Sequence, residues 1–561
     1  MSDTESKRKK TNWTIVSIPL IIAVSLAIGI VVGSVFMTKI PVGVNDRKIT
    51  SVLSLINSQY VDTLSIDELT ELTLPKLLSD LDPHSAYIPA KDLDDVNNEL
   101  GGSFTGVGIQ FYIPSDTVVC VEIISGGPAE KAGLLPGDRI VSVNDTSFIG
   151  KTNEDVLKHL RGVKGTKVKV GIRRPGSRKT YIYTLTRDDI PVSSIDACYM
   201  IEDKIGYIKV NKFGTKTYNE FLTGLLRLKK EGAEKYIVDL RGNGGGLMES
   251  AILMVNEFMP NDRLIVSSKC REIRNNATVY SDGQGSFIDN ELVVITNEYS
   301  ASASEIFAGA MQDNDRGLVI GHRTFGKGLI QQQIELYDKS AIRLTIGRYY
   351  TPSGRCIQKN FKRGDDVGYN QELLDRYSNG ELYSQDSIKV DKKDIYKTSG
   401  GRTVYGGGGI IPDIFVADDT TYITNYYVAV ANAGLLQKYT NDFVDHHRTD
   451  LKKAGSAEKM LTMLPSDNAL LQDFVQYAAK EGIVPRWYYI NVSKKNILSA
   501  LKSLIARGVF GAEAYYIIHN QTDNYVIQSV KALRSGKAQI PITEENIKNG
   551  KKKDGQKRTS K

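Results

Sequence analysis

Three serines on alternate positions, Ser300, Ser302 and Ser304, stand in YSASASEIFAG just before an apolar helical pattern. The VVIT run ahead of them reads as a buried strand, so they fall on a strand-to-helix turn, with Glu305 in the first turn of the helix. Such a turn exposes a hydroxyl on a rigid element and aims neighbouring backbone N–H groups at the place where an oxyanion forms. A serine needs a base to become a nucleophile. The chain has no G-x-S-x-G, and His322 lies in a glycine-rich loop with no carboxylate marked as its partner. Lys327, between two glycines in FGKG, is the better base. A flexible loop can carry its amine into a cramped, apolar place, where desolvation lowers its pKa toward neutrality.

A second glycine-rich segment, KYIVDLRGNGGGLMES, reads as a strand ending at Leu240, a turn through Gly242–Gly246, and a helix. Its glycines allow a sharp turn that points N–H groups inward, as an oxyanion hole requires. Asp239 and Arg241 read as structural contacts. The G-x-x-x-x-G-K spacing of Gly321, Gly326 and Lys327 also fits a phosphate loop, but such a loop needs Ser or Thr after the lysine and a helix starting there. Here Gly328 follows, and LIQQQIELY has a strand pattern.

These residues need elements to hold them. KIGYIKV, YNEFLTGLLRLKKEG, KYIVDL, LMESAILMVNEFM, ELVVITN, the SASASE helix and GLVIG alternate strand and helix, which implies a layered α/β core. Residues 45 to 95 carry helical periodicity. From Gly101, short β-branched runs broken by glycine turns are interrupted by one helix, NEDVLKHLRG, capped near Thr152 or Asn153. Beyond about residue 430 the pattern is mostly helical.

GGSFTGVGIQF, EIISGGPAEKAGLLPGDRIVSVNDTSF and NEDVLKHLRGVKGTKVKVGIRR together resemble a PDZ domain. Such a domain adds an extended peptide to a sheet edge and holds its terminal carboxylate on backbone N–H groups. Gly106, Val107, Gly108 and Ile109 match the carboxylate-binding loop, whose apolar members imply a preference for an apolar C-terminal side chain. NEYSASASEIFAGAMQDNDRGLVIGHRTFGKGLIQQQ resembles the signature of the carboxyl-terminal processing peptidases, the tail-specific serine proteases that form subfamily A of peptidase family S41. LDPHSAYIPA, RYYTPSGRCIQ and GGGIIPDIFV follow in that family's order, and the resemblance covers roughly residues 45 to 420. It implies Ser302 as nucleophile, Lys327 as general base and Gln331 as the residue that positions the lysine. It further implies an accessory role for Glu305 and an oxyanion hole of Ala303 and Gly245, and leaves Ser300 and Ser304 as cap or packing residues. No metal, nucleotide or organic cofactor is implied.

The expected architecture is a multidomain α/β chain: a layered serine protease core with an inserted PDZ β-sandwich, an N-terminal transmembrane helix and a C-terminal helical extension. The expected segments are a basic cytoplasmic terminus (1–12), a membrane anchor (13–37), a helical lead-in (38–95), PDZ (96–187), protease core (188–430), extension (431–540) and a basic disordered tail (541–561). Thr14–Met37 carries no charge, is long enough to span a bilayer, and follows KRKK, which orients the remainder outside the cytoplasm. The composition, 41% hydrophobic and 24% charged, is that of a folded protein. Much of the net charge of +7 sits at the two ends, which disfavours a nucleic-acid partner. Four scattered cysteines without a C-x-x-C pair, and six histidines without H-E-x-x-H, disfavour a metal site.

The function so implied is a membrane-anchored, periplasmic or extracellular serine endopeptidase that recognises apolar C-termini of protein substrates. The alternatives are a catalytically silent PDZ scaffold tethered at the membrane and a secreted hydrolase of small esters or amides. The sequence leaves open the natural substrate, a homodimer, an adaptor lipoprotein, and the role of residues 431–540.

Overall fold

The central sheet runs Ile195–Glu202, Ile205–Val210, Lys235–Asp239, Glu291–Thr296, Leu318–Gly321 and Ile414–Phe415 in spatial order. Its first pair is antiparallel and the others parallel. A computed structural model describes residues 44–113, 116–390 and 393–538. The apolar stretch 14–37, the N-terminal basic run and the tail 541–561 lie outside the described residues, among which no helix is long and apolar enough to cross a membrane.

Parallel strands buried on both faces must be apolar at consecutive positions, and these are. Tyr236, Val238, Leu292 and Val294 face one layer, where the helices Thr217–Lys230, Met248–Asn256 and Ala303–Asp313 supply Phe221, Leu225, Met254, Val255, Phe307 and Met311. Their neighbours Ile237, Val293 and Ile295 face the opposite layer, against Val526, Val530 and Leu533 of the helix Asn524–Arg534. Burying each such aliphatic side chain contributes roughly 1.5–3 kcal/mol. The last helix of the expected extension is therefore a layer of the central core. The rest of that region, from Asn425–Asn432 to Ala512–His519, packs around its own cluster of Leu470, Phe474, Ile497, Leu501 and Ile505.

A second, antiparallel sheet joins Ala86–Ile88, Ala341–Tyr350, Leu264–Cys270 and Thr278–Tyr280, with Leu329–Glu335 paired to Ala341–Tyr350. LIQQQIE is thus a strand, as its pattern predicts. The lead-in is helical at Val44–Gln59, Ile66–Ser79 and Ala90–Leu100, but AYI within it forms the strand Ala86–Ile88, because it finds a partner in Ala341–Arg343.

The PDZ-like region is a sheet ordered Ile109–Tyr112, Val118–Ile123, Arg139–Val143, Lys167–Arg173 and Thr180–Thr186, with helices Pro128–Ala132 and Asn153–Leu160. Thr152 caps the second helix in a capping box with Asp155. Ser103–Gly106 pairs antiparallel with Asp188–Pro191, so the chain enters and leaves this region through one two-stranded stem. All four cysteines stand unbridged.

Candidate active site

The strand Glu291–Thr296 and the helix Ala303–Asp313 meet in a turn where Ser302 takes φ 55° and ψ −114°. A non-glycine residue there is strained by about 1–3 kcal/mol and needs its surroundings to hold it. The two flanking serines do part of this. Ser300 Oγ donates to the Leu240 carbonyl at 2.8 Å, and Ser304 Oγ donates to that of Asn243 at 2.8 Å. Both therefore fasten the serine turn to the glycine loop, and the alternate spacing leaves Ser302 between them with its own side chain partly exposed.

Glu305 does more. Its carboxylate, fully buried, accepts from Ser302 N–H (2.8 Å), Lys327 N–H (2.8 Å), Gly326 N–H (2.7 Å) and Thr324 Oγ1 (2.6 Å). Burial pushes its pKa up, and these four donors oppose that rise. Opposite it, the buried Tyr349 hydroxyl lies 2.6 Å from the Lys327 carbonyl and 3.1 Å from the Ser302 carbonyl. One carboxylate and one phenol thus hold the peptide groups of both Ser302 and Lys327.

Lys327 Nζ donates to Gln331 Oε1 at 2.9 Å, and Gln331 Nε2 donates to the His84 carbonyl. With its donor end occupied by a carbonyl, the amide presents oxygen to the amine. The lysine pKa is lowered, first by burial and then by the positive charge of Arg343. His84 adds no competing charge: burial, assisted by Lys327, brings its pKa down to about 4. The structure makes no hydrogen bond between Ser302 Oγ and Lys327 Nζ; the amine is turned to Gln331.

The glycine loop lies against this turn. Gly245, at φ +103°, approaches so closely that an added Cβ would stand 2.7 Å from Ser302 Cβ and 3.0 Å from Ala303 N. Its own N–H donates to Asn243 Oδ1 at 2.9 Å. Ala303 opens a helix, whose N-terminal partial positive charge favours an anion at this point.

In the PDZ-like region, Gly106 ends one strand, Ile109 begins the next, and Gly108 turns between them at φ +78°. Val107 and Ile109 are buried. The Val107 carbonyl accepts from Ala129 N–H and the Gly108 carbonyl from Ile124 N–H. Ile109–Tyr112 is an edge strand of its sheet, the position strand addition requires.

Residues 204–367 match the model of peptidase family S41, residues 119–174 a PDZ domain, and residues 426–511 a family of unknown function, DUF8443. A probable CtpA-like serine protease of Staphylococcus aureus (strain N315) is 31% identical over 352 residues, 62% of this chain and 70% of the relative. The chain belongs to peptidase family S41. A probable CtpA-like serine protease of Staphylococcus epidermidis (strain ATCC 12228 / FDA PCI 1200) is 33% identical over 322 residues, 57% of this chain and 65% of the relative. Among solved structures, the photosystem II D1 C-terminal processing protease is 30% identical at a TM-score of 0.31, covering 55% of this chain and 88% of that one. The PDZ domain of the carboxy-terminal protease from Vibrio cholerae, solved in complex with a peptide, is 30% identical at a TM-score of 0.16, covering 16% and 99%.

As a member of this family the chain is a serine-type peptidase, and several residues of its site escaped the reading of the sequence. LDPHS is part of the sequence resemblance, but its local work is visible only in three dimensions. Asp82 accepts from His84 N–H, Ser85 N–H, Ser85 Oγ and Thr345 Oγ1, folding the segment so that the His84 carbonyl reaches Gln331. Burial works against the Asp82 charge, yet these donors hold its pKa below the usual range. Tyr349 is equally hidden, since RYYTPSGR reads only as part of the family resemblance and nothing in it marks what the hydroxyl meets. His322, set aside as a base, is buried beside Glu298 (3.3 Å) and the hydroxyl of Tyr525 (3.1 Å). Asp239 and Arg241 form a close pair at 2.6 Å, in keeping with a structural part.

Proposed function

We propose that this peptidase captures the apolar C-terminus of a protein substrate on the Gly106–Ile109 loop and cleaves the chain with Ser302 and Lys327. The observation that carries this reading is the common clamp: Glu305 and Tyr349 hold both residues, and burial keeps the Lys327 amine disposed to lose its proton. The neutral amine, released from Gln331, takes the Ser302 Oγ proton as that oxygen bonds to the scissile carbonyl carbon. The carbonyl electrons move to oxygen, which accepts from Ala303 N–H and from Gly245 N–H, the latter exchanging its neutral bond to Asn243 for a charge-assisted one. The lysine ammonium then protonates the leaving amine, the C–N bond breaks, and an acyl ester remains on Ser302. Water, deprotonated by the same amine, hydrolyses the ester and returns the serine.

Because the neutral amine is the active form, kcat rises with pH through the lowered Lys327 pKa and then levels. The apolar stretch Thr14–Met37 after KRKK supports a membrane anchor with the catalytic part outside the cytoplasm. To test the reading, an unfolded reporter ending in apolar residues and the same reporter ending in charged ones are incubated with the protein. Cleavage of the apolar-tailed reporter alone, lost in both Ser302→Ala and Lys327→Ala, supports it. Capture of the tail without cleavage favours the tethered scaffold.

A further inference from the structure

The last helix, Asn524–Arg534, is unlike the other helices of the extension: its first turn reaches the two loops that carry the site. Asp523, its cap, uses one carboxylate oxygen to accept from Tyr525 N–H (2.8 Å) and Val526 N–H (3.3 Å). The other oxygen accepts from Arg241 at 2.8 Å, and His519 Nε2 stands 3.4 Å away. Arg241 is the residue from which Gly242–Gly246 departs. Its guanidinium is gripped by Asp239 on one side and Asp523 on the other, and lies over the Tyr525 ring at 4.8 Å. Lys209 fixes the Arg241 carbonyl.

Tyr525 serves the second loop. Its hydroxyl donates to Asp418 at 2.8 Å and stands 3.1 and 3.2 Å from the two ring nitrogens of His322, at the head of the segment leading to Lys327. Glu298, in the turn before Ser302, holds the same imidazole at 3.3 Å. The tyrosine ring also sits 3.3 Å from where a Gly321 side chain would be. Behind this contact, Val526, Val530 and Leu533 are locked beneath the sheet, so the two side chains project from a fixed base.

We infer that the C-terminal extension is a positioning element of the peptidase, in which Asp523 sets the glycine loop through Arg241 and Tyr525 sets the serine turn and the lysine loop through His322. This rests on the reading of Ser302 and Lys327 given above. Neither residue touches substrate; both act through the loops. The extension also meets the PDZ-like region, since Asp445 pairs at 2.5 Å with Arg139, on the middle strand of that sheet.

The test compares the full-length chain with Asp523→Asn and Tyr525→Phe. Asparagine keeps a capping oxygen and removes the charge that holds Arg241; phenylalanine keeps the ring and removes the hydroxyl. Misplacement of a catalytic loop lowers kcat rather than substrate affinity, so Asp523→Asn is expected to lose about tenfold in kcat and Tyr525→Phe roughly threefold, each with KM unchanged. Hydrogen exchange, followed in parallel, is expected to quicken over residues 241–247 in Asp523→Asn and over 320–328 in Tyr525→Phe, but not in the PDZ strands. Unaltered kcat and unaltered exchange in both variants overturn the inference, as does a rise in KM with kcat intact. Should Asp523→Asn fail to fold, Tyr525→Phe decides alone. Ser302→Ala runs alongside: if it leaves turnover intact, the reading of the active site falls, while the exchange data still decide whether the helix holds the loops.

Discussion

The Ser302 turn and the Gly106–Ile109 loop are both glycine-assisted turns of the kind that present backbone N–H groups to a carbonyl or carboxylate oxygen, and they are built in opposite ways. At Ser302 the peptide groups of the serine and of Lys327 are engaged by buried side chains: Glu305 takes their N–H groups, Tyr349 meets their carbonyls, and Ser300 and Ser304 fasten the adjoining loop. At Gly108 the loop carbonyls are held by backbone N–H groups from within the same region, and the strand that follows is a free edge. Bond-making needs donors fixed to a fraction of an ångström, because misplacement costs rate directly. Capture needs an open edge, because its main-chain bonds form only when the peptide arrives.

The comparison breaks most sharply at Gly245. Gly245→Ala forces a Cβ to within 2.7 Å of the Ala301 carbonyl oxygen and Ser302 Cβ, at a φ of +103° that alanine resists. Cleavage is expected to fall by more than about a hundredfold, the loss associated with a missing oxyanion donor. Steady-state hydrolysis of the tailed reporter measures it, with affinity for an apolar-tailed peptide unchanged. Wild-type turnover would mean that the close approach of the two loops has no bearing on the chemistry.

Glu305→Gln comes next. A carboxylate is acceptor-only, and here both oxygens face two donors each; a glutamine must turn its NH2 toward one of those pairs. About 2–4 kcal/mol of stability and roughly tenfold to a hundredfold in kcat should be lost together, seen as a lower urea midpoint and a slower reporter cleavage. Loss of stability without loss of rate would make Glu305 a packing residue only.

How far the sequence revealed these features depended on where the contacts lie. Ser302, Glu305, Lys327 and Gln331 fall within thirty-odd residues of one another, so residue type and spacing suggested a serine and a lysine, and resemblance to a family chose among the three serines. The central strands were readable as apolar runs. What the sequence hid are partners far apart in the chain, two of them joined through backbone atoms: the His84 carbonyl on Gln331 and the Tyr349 hydroxyl on two carbonyls, and, between side chains, Asp523 on Arg241. A carbonyl acceptor leaves no mark on residue type, and a tyrosine in a strand looks the same whether or not its hydroxyl has work. The extension read as a separate addition because helical periodicity reveals an apolar face but not what covers it.

On the capture side, Gly108→Ala sharpens the contrast. At φ +78° an alanine Cβ would lie 3.3 Å from Gly127 Cα and Ile190 Cδ1, tight contacts within the loop proposed to hold the terminal carboxylate. Affinity for an apolar-tailed peptide should drop about tenfold by fluorescence anisotropy. The stability loss should be smaller than that of Glu305→Gln, since no buried hydrogen-bond donors are left facing another donor. Unchanged affinity would remove this loop from carboxylate binding.

The smallest effect concerns how dry the catalytic side is. His84, wedged edge-on against Tyr369 and bonded to its hydroxyl at 2.8 Å, keeps its ring neutral down to about pH 4 because burial, and then Lys327, disfavour the cation. The unfolded chain protonates the same ring near 6.5. As pH falls between those two values the unfolded state alone gains the proton, so the contribution is complete above 6.5 and is lost progressively toward 4. With partial exposure of the ring allowed for, the loss is on the order of 2 kcal/mol. It belongs to unfolding of the catalytic core, where the His84 carbonyl holds Gln331. Urea unfolding of wild type and His84→Gln at pH 7 and pH 4.5 measures it: the wild-type midpoint should fall further between the two than that of the variant. Equal falls would mean that solvent reaches the imidazole, and with it the neighbouring lysine, more freely than the burial of this site implies.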